Sequence, residues 1–319
     1  MNPAHAGRRG ELLATAGLLL TAVGWGSQVP LTTVLLANLP PFLLAAIRYS
    51  MAAPVLAILV AIFEQGAVLP INLPWRRIVM LGGFGVAGFG TCYTFGVAYS
   101  GPITAAAILA TGPVVAALMD WVILRQRISR RSVMPIALTV AGGLLVAFGQ
   151  TTSGHEGYGG IGLLVLGLVC WTWYSLKAQA WLAPLGIGQL RLTMVTSAAA
   201  GLWLWVTFGV TTVIGLQPPP TTWPPVSDFA ILAYLIVVPT AICIALWNQG
   251  AARLGVTVAM VILNLSPVFS VLLSIAINIE PTTLQLVGGI ATLAGVFWLQ
   301  FGGKPLPRAA SVDAAGELR

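Results

Sequence analysis

The chain has 319 residues, of which 58% are hydrophobic and only 7% charged, and its mean hydropathy is +0.93. Soluble domains carry about 25% charged residues, so a chain this apolar cannot cover a surface in water, and lipid must be its solvent. The net charge of +7 and isoelectric point near 9.8 would suit a nucleic-acid partner only if the cations gathered on one soluble face, and they do not.

The first apolar run, 12–36, follows a short tail, 1–11, that carries Arg8 and Arg9. This opening imitates a signal peptide, but the run continues through Trp25 and Pro30 and no A-x-A-like site follows, so it reads as a retained helix. Nine further runs follow at 41–63, 77–98, 102–124, 132–149, 159–182, 190–215, 228–249, 256–278 and 283–302, before a tail at 304–319. About 20 residues at 1.5 Å each cross roughly 30 Å of hydrocarbon. Continuous rather than alternating hydrophobicity excludes a β-barrel. The expected fold is an all-α integral membrane protein of ten transmembrane helices.

The connections test that count. Arg8 and Arg9, Arg76 and Arg77, Arg125, Arg127, Arg130 and Arg131, Lys177 and Arg191, Arg253, and Lys304, Arg308 and Arg319 are fourteen of the fifteen basic residues, and all fall on one side of a ten-helix arrangement. The other side holds Glu156, Asp228, Glu280 and His155. Cations are retained in the cytoplasm, which predicts that both termini are cytoplasmic. The Arg125–Arg131 cluster is then explained by topology and anionic headgroups rather than by nucleic acid.

The chain also resembles itself. A shift of 154 places Gly96, Ala98, Gly101, Ala105, Ile108, Leu109 and Pro113 on Gly250, Ala252, Gly255, Ala259, Ile262, Leu263 and Pro267. A shift of 146 places Trp25 on Trp171, and the Pro-rich stretch Gln217–Pro225 accounts for the change. Each matched proline falls midway along its run, where it frees a carbonyl and bends the axis. The halves are 12–149 and 150–303. Five crossings leave the chain on the opposite side, so the second five-helix repeat enters inverted, an architecture typical of secondary transporters with a site at the repeat interface.

Gly24-Trp25-Gly26-Ser27 late in the first helix, Arg48-Tyr49 early in the second, and Pro113 and Pro267 in the fourth and ninth make the chain resemble the drug/metabolite transporter superfamily, in its EamA-type branch. Arg125-Gln126-Arg127 and the Trp-rich sixth helix depart from that pattern. The resemblance implies export of amino acids or comparable metabolites across the bacterial cytoplasmic membrane, with no cofactor and with the substrate held in a central cavity.

Amides and hydroxyls within a span need partners, which water or substrate can supply, and aromatic walls with few polar groups line small-molecule pockets. Those rules select Trp25, Ser27, Gln28, Tyr93, Tyr99, Trp171, Tyr174, Asn264 and Ser266 as substrate-binding candidates, with Pro113, Pro267 and Arg48 as hinge or gate. Arg48 is the one basic residue placed inside a span rather than at a connection, and a cavity role and an anchor snorkelling to the outer interface are both open. Trp247, Asn248 and Gln249 read as interfacial. Asp120 is expected to pair with Arg125 or Arg127 or to carry a coupling proton. No central carboxylate relay is present, so proton coupling, facilitated movement and exchange all stay open.

Gly82-Gly83-Phe84-Gly85 and Gly288-Gly289 lie inside runs rather than after a strand, which points to close helix packing and not to phosphate binding. An enzyme needs a nucleophile–base pair or metal ligands. The two histidines, His5 and His155, lie outside the spans, the three cysteines Cys92, Cys170 and Cys243 are scattered, and Ser175 and Lys177 are two apart on a helix and face different ways. An enzyme is not expected. A non-transporting scaffold or receptor, or an exporter of drugs, purines or sugars, is the alternative.

Overall fold

The computed structural model describes residues 3–64, 73–124, 130–149, 155–217 and 224–301, and every regular element among them is helical. Helices follow from the solvent: in hydrocarbon each backbone N–H and C=O needs a partner within its own segment.

In chain order the helices are α1 (Pro3–Leu36), α2 (Pro41–Phe63), α3 (Trp75–Met80), α4 (Gly88–Ser100), α5 (Pro102–Leu109), α6 (Gly112–Leu124), α7 (Arg130–Phe148), α8 (His155–Trp181), α9 (Gln189–Val213), α10 (Val226–Leu235), α11 (Cys243–Leu254), α12 (Val256–Leu263), α13 (Ser266–Ala276) and α14 (Thr283–Phe301). A π-helical segment, Leu81–Ala87, joins α3 to α4, and another, Ile236–Ile242, joins α10 to α11.

Eight helical spans among the described residues are long and apolar enough to cross a membrane: Gly10–Leu36, Pro41–Phe63, Trp75–Ser100, Pro102–Met119, Gly157–Trp181, Gln189–Val213, Val226–Leu254 and Val258–Ala276. Ten were expected, and the two remaining runs are also helical. The runs in α7 and α14 are helical, but their apolar parts, Ser132–Phe148 and Thr283–Leu299, are shorter. The difference has a sequence cause: α7 begins on Arg130-Arg131-Ser132, which shortens its apolar length.

These two helices pair most extensively with each other. A Cβ added at Gly142 would stand 2.6 Å from the carbonyl oxygen of Gly288, so only glycine admits this approach of backbones. The Thr282 hydroxyl donates to the Gly149 carbonyl at 2.8 Å, and Gly295 lies beside Pro135, so the pair is antiparallel. The second large pairing, α2 with α9, is also antiparallel. The amide of Leu190, early in α9, donates to Glu64 Oε1 at the end of α2 (3.0 Å), and the amide of Phe42, early in α2, donates to Gln217 Oε1 beyond the end of α9 (3.1 Å).

The irregularities recur at the spacing of the sequence repeat. Gly101 and Gly255 both adopt positive φ, 76° and 84°, which glycine alone adopts without strain. The two π-helical segments occupy corresponding places. The fourth and ninth runs both break, at Ala110–Thr111 and Asn264–Leu265, just before Pro113 and Pro267. Packing follows the same exchange: α4 lies on α8 as α11 lies on α1, and α1 meets α13 as α8 meets α6.

Candidate functional site

The breaks in the fourth and ninth runs and the second π-helical segment converge. A cavity of about 110 Å³ is bounded by α1, α2, α4, the junctions of α5 with α6 and of α12 with α13, α8 and α11. One water needs about 10–15 Å³ in this measure, so the space takes several waters or a small metabolite.

Proline sets the polarity of the floor. Pro113 has no N–H, so the carbonyl of Leu109 one turn earlier loses its helical donor, and Pro267 does the same to Leu263. Both leucines line the cavity. Pro239, in the second π-helical segment, would free Leu235 in the same way, but the Thr240 hydroxyl donates to that carbonyl at 2.7 Å.

Thr240 thereby presents its oxygen to Arg48. The guanidinium donates to it from Nε (3.3 Å) and Nη2 (3.1 Å), and from Nη2 to Gln28 Oε1 at 2.8 Å. Arg48 is 2% exposed and lines the cavity, with its Cζ 5.9 Å from the ring centres of both Tyr49 and Tyr93. It turns inward and is not the interfacial anchor that was the other reading. No carboxylate among the described residues lies within ion-pair distance of it.

Aromatic rings form the opposite wall. Trp25 and Trp171 meet edge to face at 5.4 Å, Trp247 packs at 5.8 Å from Trp25 and 6.1 Å from Trp171, and Phe89 lies 5.0 Å from Trp171. The Trp25 indole donates to the Pro239 carbonyl at 2.9 Å. Gly26 explains how α1 reaches this depth, because an added Cβ there would stand 2.6 Å from the Ser266 carbonyl oxygen at the break in the ninth run.

Of the twelve residues selected from sequence, Trp25, Gln28, Tyr93, Trp171, Asn264, Ser266, Arg48, Pro113 and Pro267 line this cavity, and Ser27, Tyr99 and Tyr174 do not. Ser27 shares a hydrogen bond with Tyr234 at 2.7 Å. Tyr99 is 36% exposed and packs on Phe95. Tyr174 is buried behind Trp171, where its hydroxyl accepts from Asn248 at 3.0 Å. Asn264 is 3% exposed, and its Nδ2 has no partner among the described residues.

The interfacial reading of Trp247 and Asn248 is corrected. Trp247 is 1% exposed, lines the cavity and donates to Ser175 Oγ at 3.1 Å, and Asn248 donates to Thr193 at 2.8 Å. Helix α11 lies on α1 and carries both residues inward. Gln249 is exposed as expected. Pro239 and Thr240 were missed, although a proline inside an apolar run followed by threonine is a legible signal of a freed and recaptured carbonyl. The pairing expected of Asp120 with Arg125 or Arg127 lies outside the described residues.

The EamA-like transporter family matches the chain twice, over residues 10–148 and 158–301. The chain belongs to this family. EamA-like proteins are transporters and not enzymes, so this one is a multi-pass membrane transporter of small molecules, within the drug/metabolite superfamily. Among curated relatives, a transporter of Bacillus subtilis named YyaM is 23% identical over 256 residues, covering 79% of this chain and 82% of its own. A probable terminal-alkyne amino-acid exporter of Streptantibioticus cattleyicolor is 27% identical over 285 residues, covering 89% and 92%. A solved crystal structure superposes with a TM-score of 0.64 at 19% identity over 90% of this chain and 96% of its own, which bears on the fold alone.

Proposed function

We propose that the protein exports amino acids, or closely similar carboxylate-bearing metabolites, by alternating access through the cavity between two inverted five-helix repeats, with ten spans and both termini cytoplasmic in a bacterial inner membrane. The observation that carries the substrate class is Arg48, a buried guanidinium with only neutral acceptors, facing the same cavity as the unpartnered amide donor of Asn264. A substrate carboxylate satisfies both. The freed carbonyls of Leu109 and Leu263 and the faces of Trp25, Trp171 and Trp247 suit an ammonium group.

Alternating access draws support from the two consecutive family matches, from the paired breaks and from the antiparallel pairing of α2 with α9 and of α7 with α14, which an inverted duplication requires of equivalent helices. The exporter of Streptantibioticus cattleyicolor, by its name, lends the amino-acid class further weight.

Counterflow into proteoliposomes, with labelled amino acids beside sugars and nucleosides, tests the proposal. Accumulation of amino acids that excess unlabelled substrate abolishes is expected, with loss in Arg48→Gln. Accumulation of sugars or nucleosides alone would overturn the substrate assignment.

A further inference from the structure

We propose that Arg48 makes this transporter an exchanger, whose empty form reorients far more slowly than its carboxylate-loaded form. The inference rests on the transport reading above and concerns its kinetics and charge selectivity.

The argument starts from what surrounds the guanidinium. Gln28 on α1 and Thr240 between α10 and α11 supply its acceptors, and Tyr49 and Tyr93 supply its ring faces. These are neutral groups. The described acids lie elsewhere: Glu64 accepts from the Leu190 amide and pairs with Arg191, Asp228 accepts from Asn38 at 2.8 Å, and Glu11 and Glu280 are exposed. No acid is among the described residues that line the cavity. Among the described residues, the empty cavity therefore holds one positive charge with no acid beside it.

The acceptors belong to opposite halves. Gln28 and Arg48 lie in the first, and Thr240 in the second. Movement of one half against the other pulls Thr240 from Arg48 and strips a buried cation of one of its acceptors, in a medium where such charge is costly. A carboxylate that travels with Arg48 removes the penalty in both end states and in passage between them. The guanidinium is then paired in the loaded form and unpaired in the empty one.

The experiment uses the full protein in proteoliposomes, loaded with the carboxylate-bearing solute that shows counterflow from a panel of amino acids, non-amino monocarboxylates and uncharged solutes. Efflux of label into substrate-free buffer is compared with efflux into buffer containing the same unlabelled solute. Exchange is expected to outrun net efflux by about tenfold or more.

Arg48→Gln, which is expected to lose counterflow, should also lose the acceleration of efflux by external solute while any net efflux that remains persists, and Arg48→Lys should keep that acceleration. Should Arg48→Gln fail to fold, the carboxamide of the transported solute makes the same test on the native protein, since it cannot neutralise Arg48 and is expected not to accelerate efflux. Equal rates of exchange and net efflux in the native protein would overturn the inference while leaving amino-acid export standing. Counterflow of other monocarboxylates but not amino acids would overturn the substrate assignment, and the rate ratio would still decide this proposal. Counterflow of uncharged solutes alone would overturn both.

Discussion

Trp25 and Trp171 stand 146 positions apart in sequence and at matching places in the two halves, yet their rings touch edge to face at 5.4 Å in the middle of the molecule. Both rings line the cavity.

The two indoles are not equal in bonding. The Trp25 N–H donates to the Pro239 carbonyl, and the Trp171 N–H has no acceptor among the described residues. Trp25→Phe should therefore lose about 1 kcal/mol more stability than Trp171→Phe. Thermal unfolding in detergent measures the difference, and equal losses would refute the asymmetry.

Asn264 presents the opposite case. Its Nδ2 is buried without a partner among the described residues, a state that costs about 1–3 kcal/mol. Asn264→Ala should leave the melting temperature unchanged or raise it, and should raise the KM for counterflow about tenfold. A destabilised variant with unchanged KM would mean that Asn264 only packs.

Close approach of backbones makes a third prediction. Gly142→Ala should destabilise by about 1–3 kcal/mol through overpacking against Gly288 and Thr292. Gly289→Ala, where an added Cβ meets nothing, should change stability by less than about 0.5 kcal/mol. The same melting assay separates them.

Glu64 ties α2 to α9 by accepting the Leu190 amide and pairing with Arg191, whose Nη1 lies 3.6 Å from Glu64 Oε2. Glu64→Gln keeps an acceptor and loses the charge, so its cost should stay near or below about 1 kcal/mol. Glu64→Ala removes both and should cost about 1–3 kcal/mol. Identical losses would show that the ion pair, and not the amide bond, holds this end.

Orientation is checked with fusions. A fluorescent protein that folds only in the cytoplasm should be bright at either terminus, and a phosphatase that needs an oxidising compartment should be active only in the connections at Gly101 or Asn278. The reverse pattern would invert the topology.

Much of the site was legible because membrane solvent makes polar residues conspicuous. Arg48, Gln28, Asn264, Trp25 and Trp171 stand out inside apolar runs, and each lines the cavity. Tyr99 and Ser27 stand out equally and do not line it, because linear position within a run does not fix which side of the helix faces the axis. Trp247 was misjudged for a related reason: it lies near the end of its run, and only the packing of α11 on α1 reveals that this end dips inward.

Composition, cation placement and the spaced prolines and glycines of the sequence determined by themselves that the chain is a helical membrane protein with two related halves, since burial in lipid restricts both the elements and the charges before any packing occurs. Tertiary structure alone decided which halves' residues share a wall. Arg48 reaches Thr240 across 192 positions, α7 and α14 join at glycines, and the Asn264 amide is left without a partner among the described residues. Such facts depend on helix rotation and close approach, which the apolar pattern leaves free because lipid and protein interior are equally hydrophobic.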